Sequence, residues 1–301
     1  MIFIVKFFKF LIIKMAKKIC LLLLLPLLFL GCFYALSYKI ILLIISPLIF
    51  IFIYINRRNS KIINQTIEEC LKVIQSKYEL KNLDIGEFKQ MTVYGIVSFY
   101  SKVYHIEGLG ILSILTANLG FMQMFSFVIN PYEKDLTQMN YDIIFMLNKR
   151  VYLVEIYELM IDNKNEEYKS FLNKIEEINK TLSDIENYEI KKNWHSDLLG
   201  ALINKKCGTK LDQKFMNLLA EITKIYIEYS NINKKLGNEG IVKKISLIEE
   251  FGNELIEKGG ISTDTFKSLF GLEKTKKYLG YVLFGYYTFK EISKLNHGNL
   301  K

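Results

Sequence analysis

An α+β fold is predicted, an α/β/α sandwich with a central antiparallel sheet flanked by helices and preceded by an N-terminal transmembrane helical hairpin. Three observations predict it. Two uncharged apolar runs lie near the N-terminus. After residue 60 the hydrophobic period goes from helical to alternating and back to helical. Only short turns divide the alternating segments, which favours an antiparallel meander, because parallel neighbours need crossovers of a dozen or more residues.

The apolar runs are residues 19–36 (ICLLLLLPLLFLGCFYAL) and 40–55 (IILLIISPLIFIFIYI), separated by Ser37, Tyr38 and Lys39. Each is at the short end of the roughly 17 to 25 residues that span a bilayer. Pro26 and Pro47 inside them are tolerated in lipid because neighbouring groups re-satisfy the backbone. Lys14, Lys17 and Lys18 precede the pair, and Arg57, Arg58 and Lys61 follow it, so both ends are expected on the cytoplasmic side. Residues 1–59 therefore read as a membrane anchor and 60–301 as a cytoplasmic domain of a multi-pass cell-membrane protein. Phe29-Leu30-Gly31-Cys32 also resembles a lipoprotein processing site, against which the second run argues. Met15 offers an alternative start to Met1.

Residues 1–59 hold eight basic side chains and no acid, whereas the remainder is nearly balanced at 32 basic and 31 acidic. The positive charge is thus not gathered on the folded part, and nucleic-acid binding is not expected. Four cysteines without a CxxC pair, and only three histidines, exclude a zinc or iron–sulfur site by spacing.

Ile63, Ile67, Leu71, Ile74 and Tyr78 recur at helical spacing, as do Phe171, Ile175, Ile178, Leu182 and Ile185. Between them, strands are expected over 91–106, 110–116, 121–130, 140–147 and 150–157. A long helix follows from Leu211 to Ile232, entered through a Thr209–Asp212 capping box. Another covers Ile241 to Leu255, and a last one starts at a Ser262-Thr263-Asp264 cap and runs into 272–295.

On the third strand Met122, Met124, Ser126 and Val128 share a face, and on the fourth Asp142 shares one with Ile144 and Met146. An acid in an apolar strand is costly unless partnered, and its pKa rises. Such a carboxyl can donate a proton near neutrality. The competing reading makes Asp142 a strand-start residue bonded to the preceding turn. Glu155, in VYLVEIYELM, is expected at an edge or paired with Arg150 or Lys149. Trp194 and His195 are expected to serve packing and a solvated ring. Gly108, Gly110 and Gly120 form no phosphate-binding fingerprint.

The order of these pieces resembles the ferredoxin-dependent bilin reductases across about residues 85–286. FSFVINPYEKDLTQMNYDIIFML is similar to that family's strand, Pro, Asp-Leu-Pro and second Asp, with Thr137 in place of the second Pro. Trp194 matches a Trp before a helix, and TDTFKSLFGLEKTKKYLGYVLFG resembles the closing pattern, with Gly285 in place of an Asp. The resemblance implies reduction of a linear tetrapyrrole held between sheet and helices, with electrons from ferredoxin as external donor and no bound metal or flavin. It also implies Asp142 as catalytic proton donor, with Ser126, Asp135, Trp194 and Asp264 at the substrate. Ser126 stands where some members carry a catalytic His, and a membrane hairpin is foreign to the family. The alternatives are a non-catalytic tethered domain of the same fold that binds a ligand or protein, and a membrane scaffold unrelated to reductases.

Overall fold

The computed structural model describes residues 38–93, 97–162, 165–190 and 192–298. Helix α1 (Tyr38–Gln75) leads into β1 (Leu80–Leu83), β2 (Gln90–Val93), β3 (Val97–Ile106), β4 (Gly110–Asn118), β5 (Met122–Asn130), β6 (Gln138–Met146) and β7 (Lys149–Tyr157). Helix α2 (Glu166–Lys180) and β8 (Leu199–Gly208) follow, and then α3 (Asp212–Ile232), α4 (Asn238–Glu257), α5 (Ile261–Phe270), α6 (Leu272–Tyr278) and α7 (Tyr286–Gly298).

The strands form one antiparallel sheet in the order β1-β3-β4-β5-β6-β7-β8, with β2 also pairing β3. Because side chains alternate across a strand, each apolar face needs a cover. One face presents Leu112, Phe127, Tyr141 and Val154 to Ile67 and Ile74 of α1, Phe171 of α2 and Phe215 and Ile222 of α3. The other presents Phe99, Val103, Ile111 and Leu115 to Ile248 and Phe251 of α4, Phe266 of α5 and Tyr278 of α6. The result is the expected helix–sheet–helix layering.

Two glycines make close approaches possible. A Cβ on Gly110 (φ +152°) would stand 2.1 Å from the Asn130 carbonyl oxygen, so a side chain there would break the β4–β5 pairing. Gly285 takes φ +69° between a π turn over Leu279–Leu283 and α7, with Ile111 Cγ2 only 2.7 Å from where its Cβ would be. That left-handed corner accounts for a glycine at the position where the family pattern has Asp.

Several expectations change. The stretch 91–106 is two strands, β2 and β3, rather than one. Strands β1 and β8 were not anticipated; β8 is only half-buried along most of its length, and its Lys205, Lys206 and two glycines hide the alternation. No side-chain cap forms at the start of α3, where a single 3₁₀ turn over Thr209–Leu211 does the same work. The Ser262-Thr263-Asp264 cap is likewise absent: α5 begins after Gly260, and the last helix is broken into α5, α6 and α7 by Gly271 and the π turn.

The hairpin expectation is also revised. The first apolar run, 19–36, lies outside the described residues. The second is continuous with the first helix of the domain, since α1 runs from Tyr38 through Pro47 to Gln75. Among the described residues no helix is long and apolar enough to cross a membrane.

Candidate functional site

The register of β5, β6 and β7 sets polar groups in rows on the face covered by α4–α7. Ser126 lies opposite Asp142 and Asp142 opposite Leu153, while Val128, Asn140 and Glu155 form the next row. These side chains floor a cleft between sheet and helices, whose opposite wall includes Phe251, Thr263, Phe266 and Leu279. The cleft holds a cavity of about 150 Å³ and opens to solvent at its mouth. Its lining is mainly apolar with a few convergent polar groups, the usual character of a small-molecule site.

Ser126 Oγ donates to Asp142 Oδ1. Asn140 Nδ2 donates to Asp142 Oδ2 at 3.1 Å and to Glu155 Oε2 at 2.8 Å, so one amide joins the two carboxyls. The Asn140 side-chain oxygen, Oδ1, is buried without a hydrogen-bond partner. Tyr157 extends the row: its hydroxyl bonds Glu155 and lies 3.2 Å from Nδ1 of His195, which also lines the cleft.

Burial governs the electrostatics. The Asp142 carboxyl is pushed above its ordinary range by desolvation, partly offset by the Ser126 and Asn140 hydrogen bonds. Glu155 is pushed up to about 7, first by burial and then by the charge of Asp142. Burial lowers His195 to about 4, so its ring is neutral at physiological pH. No Lys or Arg is among the described residues lining the cleft. Two like-charged carboxyls in one dry pocket hold protons at a pH where carboxyls in water have lost theirs.

Asp142 is neither at a strand start nor turn-bonded; it sits mid-strand, facing the cleft beside Ser126. The other expected site residues fall elsewhere. Both Asp135 carboxylate oxygens accept backbone N–H groups, from Ile161 at 2.8 Å and Asp162 at 3.0 Å, and Lys244 Nζ is 3.5 Å away. Trp194 Nε1 donates to the Gly259 carbonyl, and its ring packs on Phe251, so it supports the wall from behind. Asp264 pairs with Lys267 at 2.7 Å, while its neighbours Thr263 and Thr265 face the cleft.

Glu155, Asn140 and His195 were not anticipated here. Glu155 is not at an edge and does not pair with Arg150, which points to the other face and binds Asp212. His195 is 8% exposed rather than solvated. The one signal for Glu155 was an acid inside an apolar alternating run.

No protein-family model matches the sequence, and no curated protein does. Solved structures do match, 34 chains of them. One is phytochromobilin synthase from tomato in complex with biliverdin, with a TM-score of 0.62 at 12% sequence identity, covering 73% of this chain and 82% of that one. The fold is that of a ferredoxin-dependent bilin reductase. At this identity the likeness is one of fold, and the bilin-reductase resemblance read in the sequence holds at that level. The layering and the antiparallel sheet are shared architecture on which the polar row of this chain is mounted.

Proposed function

We propose that this chain is a membrane-anchored reductase of a linear tetrapyrrole, with Asp142 as the proton donor. The observation that carries the reading is the partly dry Asp142 carboxyl, held by Ser126 and Asn140 at the floor of a largely apolar cleft in a bilin-reductase fold.

Reduction of one double bond consumes two electrons and two protons. The electrons come singly from an external one-electron donor, a reduced ferredoxin. Each electron makes the conjugated pigment more basic, and a carboxyl whose burial keeps its proton to a higher pH than a carboxyl in water can transfer it across a hydrogen bond. Asp142 gives the first proton. Glu155, joined to it through Asn140, stands next in the row to supply or replenish the second. The apolar walls exclude water, which strengthens these interactions and keeps the radical from stray protonation.

Support for the anchor comes from α1. Leu48, Ile49, Phe50, Ile51, Phe52, Ile53 and Tyr54 are all exposed, from 40% to 72%, around every side of the helix. An all-round apolar helix is stable only when buried in protein or lipid. Directly after it, Gln123 Nε2 donates to the Asn56 carbonyl oxygen at 3.2 Å and Arg58 Nη2 to Asn148 Oδ1 at 3.2 Å, fixing the helix to the β4–β5 and β6–β7 ends of the sheet.

One experiment tests both parts. The full chain, reconstituted with liposomes and floated on a density gradient, is expected in the lipid fraction. Supplied there with biliverdin and reduced ferredoxin, it is expected to yield a reduced bilin. Chain left in the aqueous fraction would overturn the anchor. Unreduced pigment in the presence of active donor would overturn the reductase.

A further inference from the structure

We propose that the cleft prefers a flat, N–H-bearing conjugated pigment whose own carboxylates are absent or masked over one that carries them free, and that Glu155 enforces this preference. The inference rests on the reading of the cleft as a tetrapyrrole site and specifies which part of such a molecule it accepts.

With Glu155 ionised, hydrogen-bond acceptors dominate the cleft floor. Asp142 and Glu155 contribute carboxyls and Asn140 contributes its buried side-chain Oδ1 with no partner, while its amide hydrogens are already committed to those two acids. A floor of that kind is complementary to the N–H groups of pyrrole rings and to a protonated pyrrole. It is opposed to any carboxylate. A ligand carboxylate taken into an apolar pocket without a cation loses its hydration and meets like charge.

Every titratable group on the described lining is of the wrong kind to offset that loss. Asp142 faces Glu155 from β6, Tyr157 and Glu155 itself come from β7, neutral His195 comes from the 3₁₀ turn over Trp194–Leu198, and Tyr278 comes from α6. The nearby cations are engaged elsewhere: Lys267 with Asp264, Lys244 with Asp135, and Arg150 with Asp212 on the opposite face. Glu155 sharpens the selection because it adds a second acid where one would suffice for proton donation.

The test compares biliverdin with its dimethyl ester, in which both propionates are masked, by visible-absorbance titration of the full chain. Above pH 7, where Glu155 is mostly ionised, the ester is expected to bind at least about tenfold more tightly than the free acid. The preference is expected to shrink as the pH falls below 7 and Glu155 takes up its proton, and to shrink at all pH values in Glu155→Gln. General greasiness of the ester would leave the preference unchanged in Glu155→Gln. Equal or tighter binding of the free acid, or a preference indifferent to both pH and Glu155→Gln, would overturn the inference while leaving the reductase reading standing. Failure of both pigments to bind would remove the parent reading and this one together.

An independent readout needs no pigment. A carboxyl raised from 4.5 to about 7 binds its proton more tightly in the folded chain, so its contribution to stability is complete below about 4.5 and is lost as the pH rises through about 7. Glu155→Gln is therefore expected to flatten the fall in Tm across that window. An unchanged pH–Tm profile would show that Glu155 does not carry the charge on which the selection depends.

Discussion

Asp142→Asn is expected to leave pigment binding intact while lowering turnover by about 10²- to 10⁴-fold, the span usually lost with a general acid. The substitution keeps shape and most hydrogen bonds. The Ser126 hydroxyl can reverse from donor to acceptor, so an asparagine amide at 142 is accommodated with its oxygen toward Asn140 Nδ2. What is lost is the acidic proton. Under reduced ferredoxin the variant should therefore accumulate a one-electron-reduced pigment, visible as an organic radical by electron paramagnetic resonance. Because the Asp142 carboxyl is raised by burial, wild-type activity should fall on the alkaline side as that group deprotonates, and the variant should lack this limb. Full turnover in Asp142→Asn would end the proton-donor assignment.

Arg150→Ala is expected to be the most destabilising single change in the sheet. The Arg150 side chain is fully buried and donates through Nε and Nη2 to the two Asp212 carboxylate oxygens at 2.8 and 3.0 Å. It also donates to Asn59 Oδ1 at 2.8 Å and to the Leu147 carbonyl oxygen at 3.0 Å, and its guanidinium lies 3.8 Å from the Phe145 ring centroid. One side chain thus joins β7, α3 and α1. Its removal strands a buried carboxylate, which costs about 3 to 5 kcal/mol. For a chain of this size the Tm should drop on the order of 10 °C. The double variant Arg150→Met, Asp212→Leu should recover much of the loss, because it removes both charges rather than one. A single variant within about 1 kcal/mol of wild type would show that this network does not hold the helix layer to the sheet.

How much of this was legible in the sequence depends on the range of the interaction that decides it. Strand alternation is local, so the shared faces of Met124, Ser126 and Val128, and of Asp142 and Ile144, could be read directly and hold in the sheet. A sheet covered by helices followed from the order of periods, and helices on both of its faces from the family resemblance. Glu155 could not be assigned to the Asp142 face, because that requires the β6–β7 register, which places Asn140 opposite Glu155. Strand β8 escaped because an edge strand need not alternate cleanly. The roles of Asp135 and Arg150 depend on partners dozens of residues away in sequence, which no local pattern encodes. The second apolar run read as a separate membrane helix because Arg57 and Arg58 looked like a boundary, whereas the helical backbone continues straight through them.

Stoichiometric addition of biliverdin to the full chain, followed by visible absorbance and circular dichroism, tests most directly whether the cleft over Asp142 is a tetrapyrrole site. A shifted, saturable long-wavelength band with induced circular dichroism, weakened when bulk is placed in the cleft by Ser126→Phe, is the expected result. Spectra equal to the sum of free pigment and protein at every ratio would contradict it.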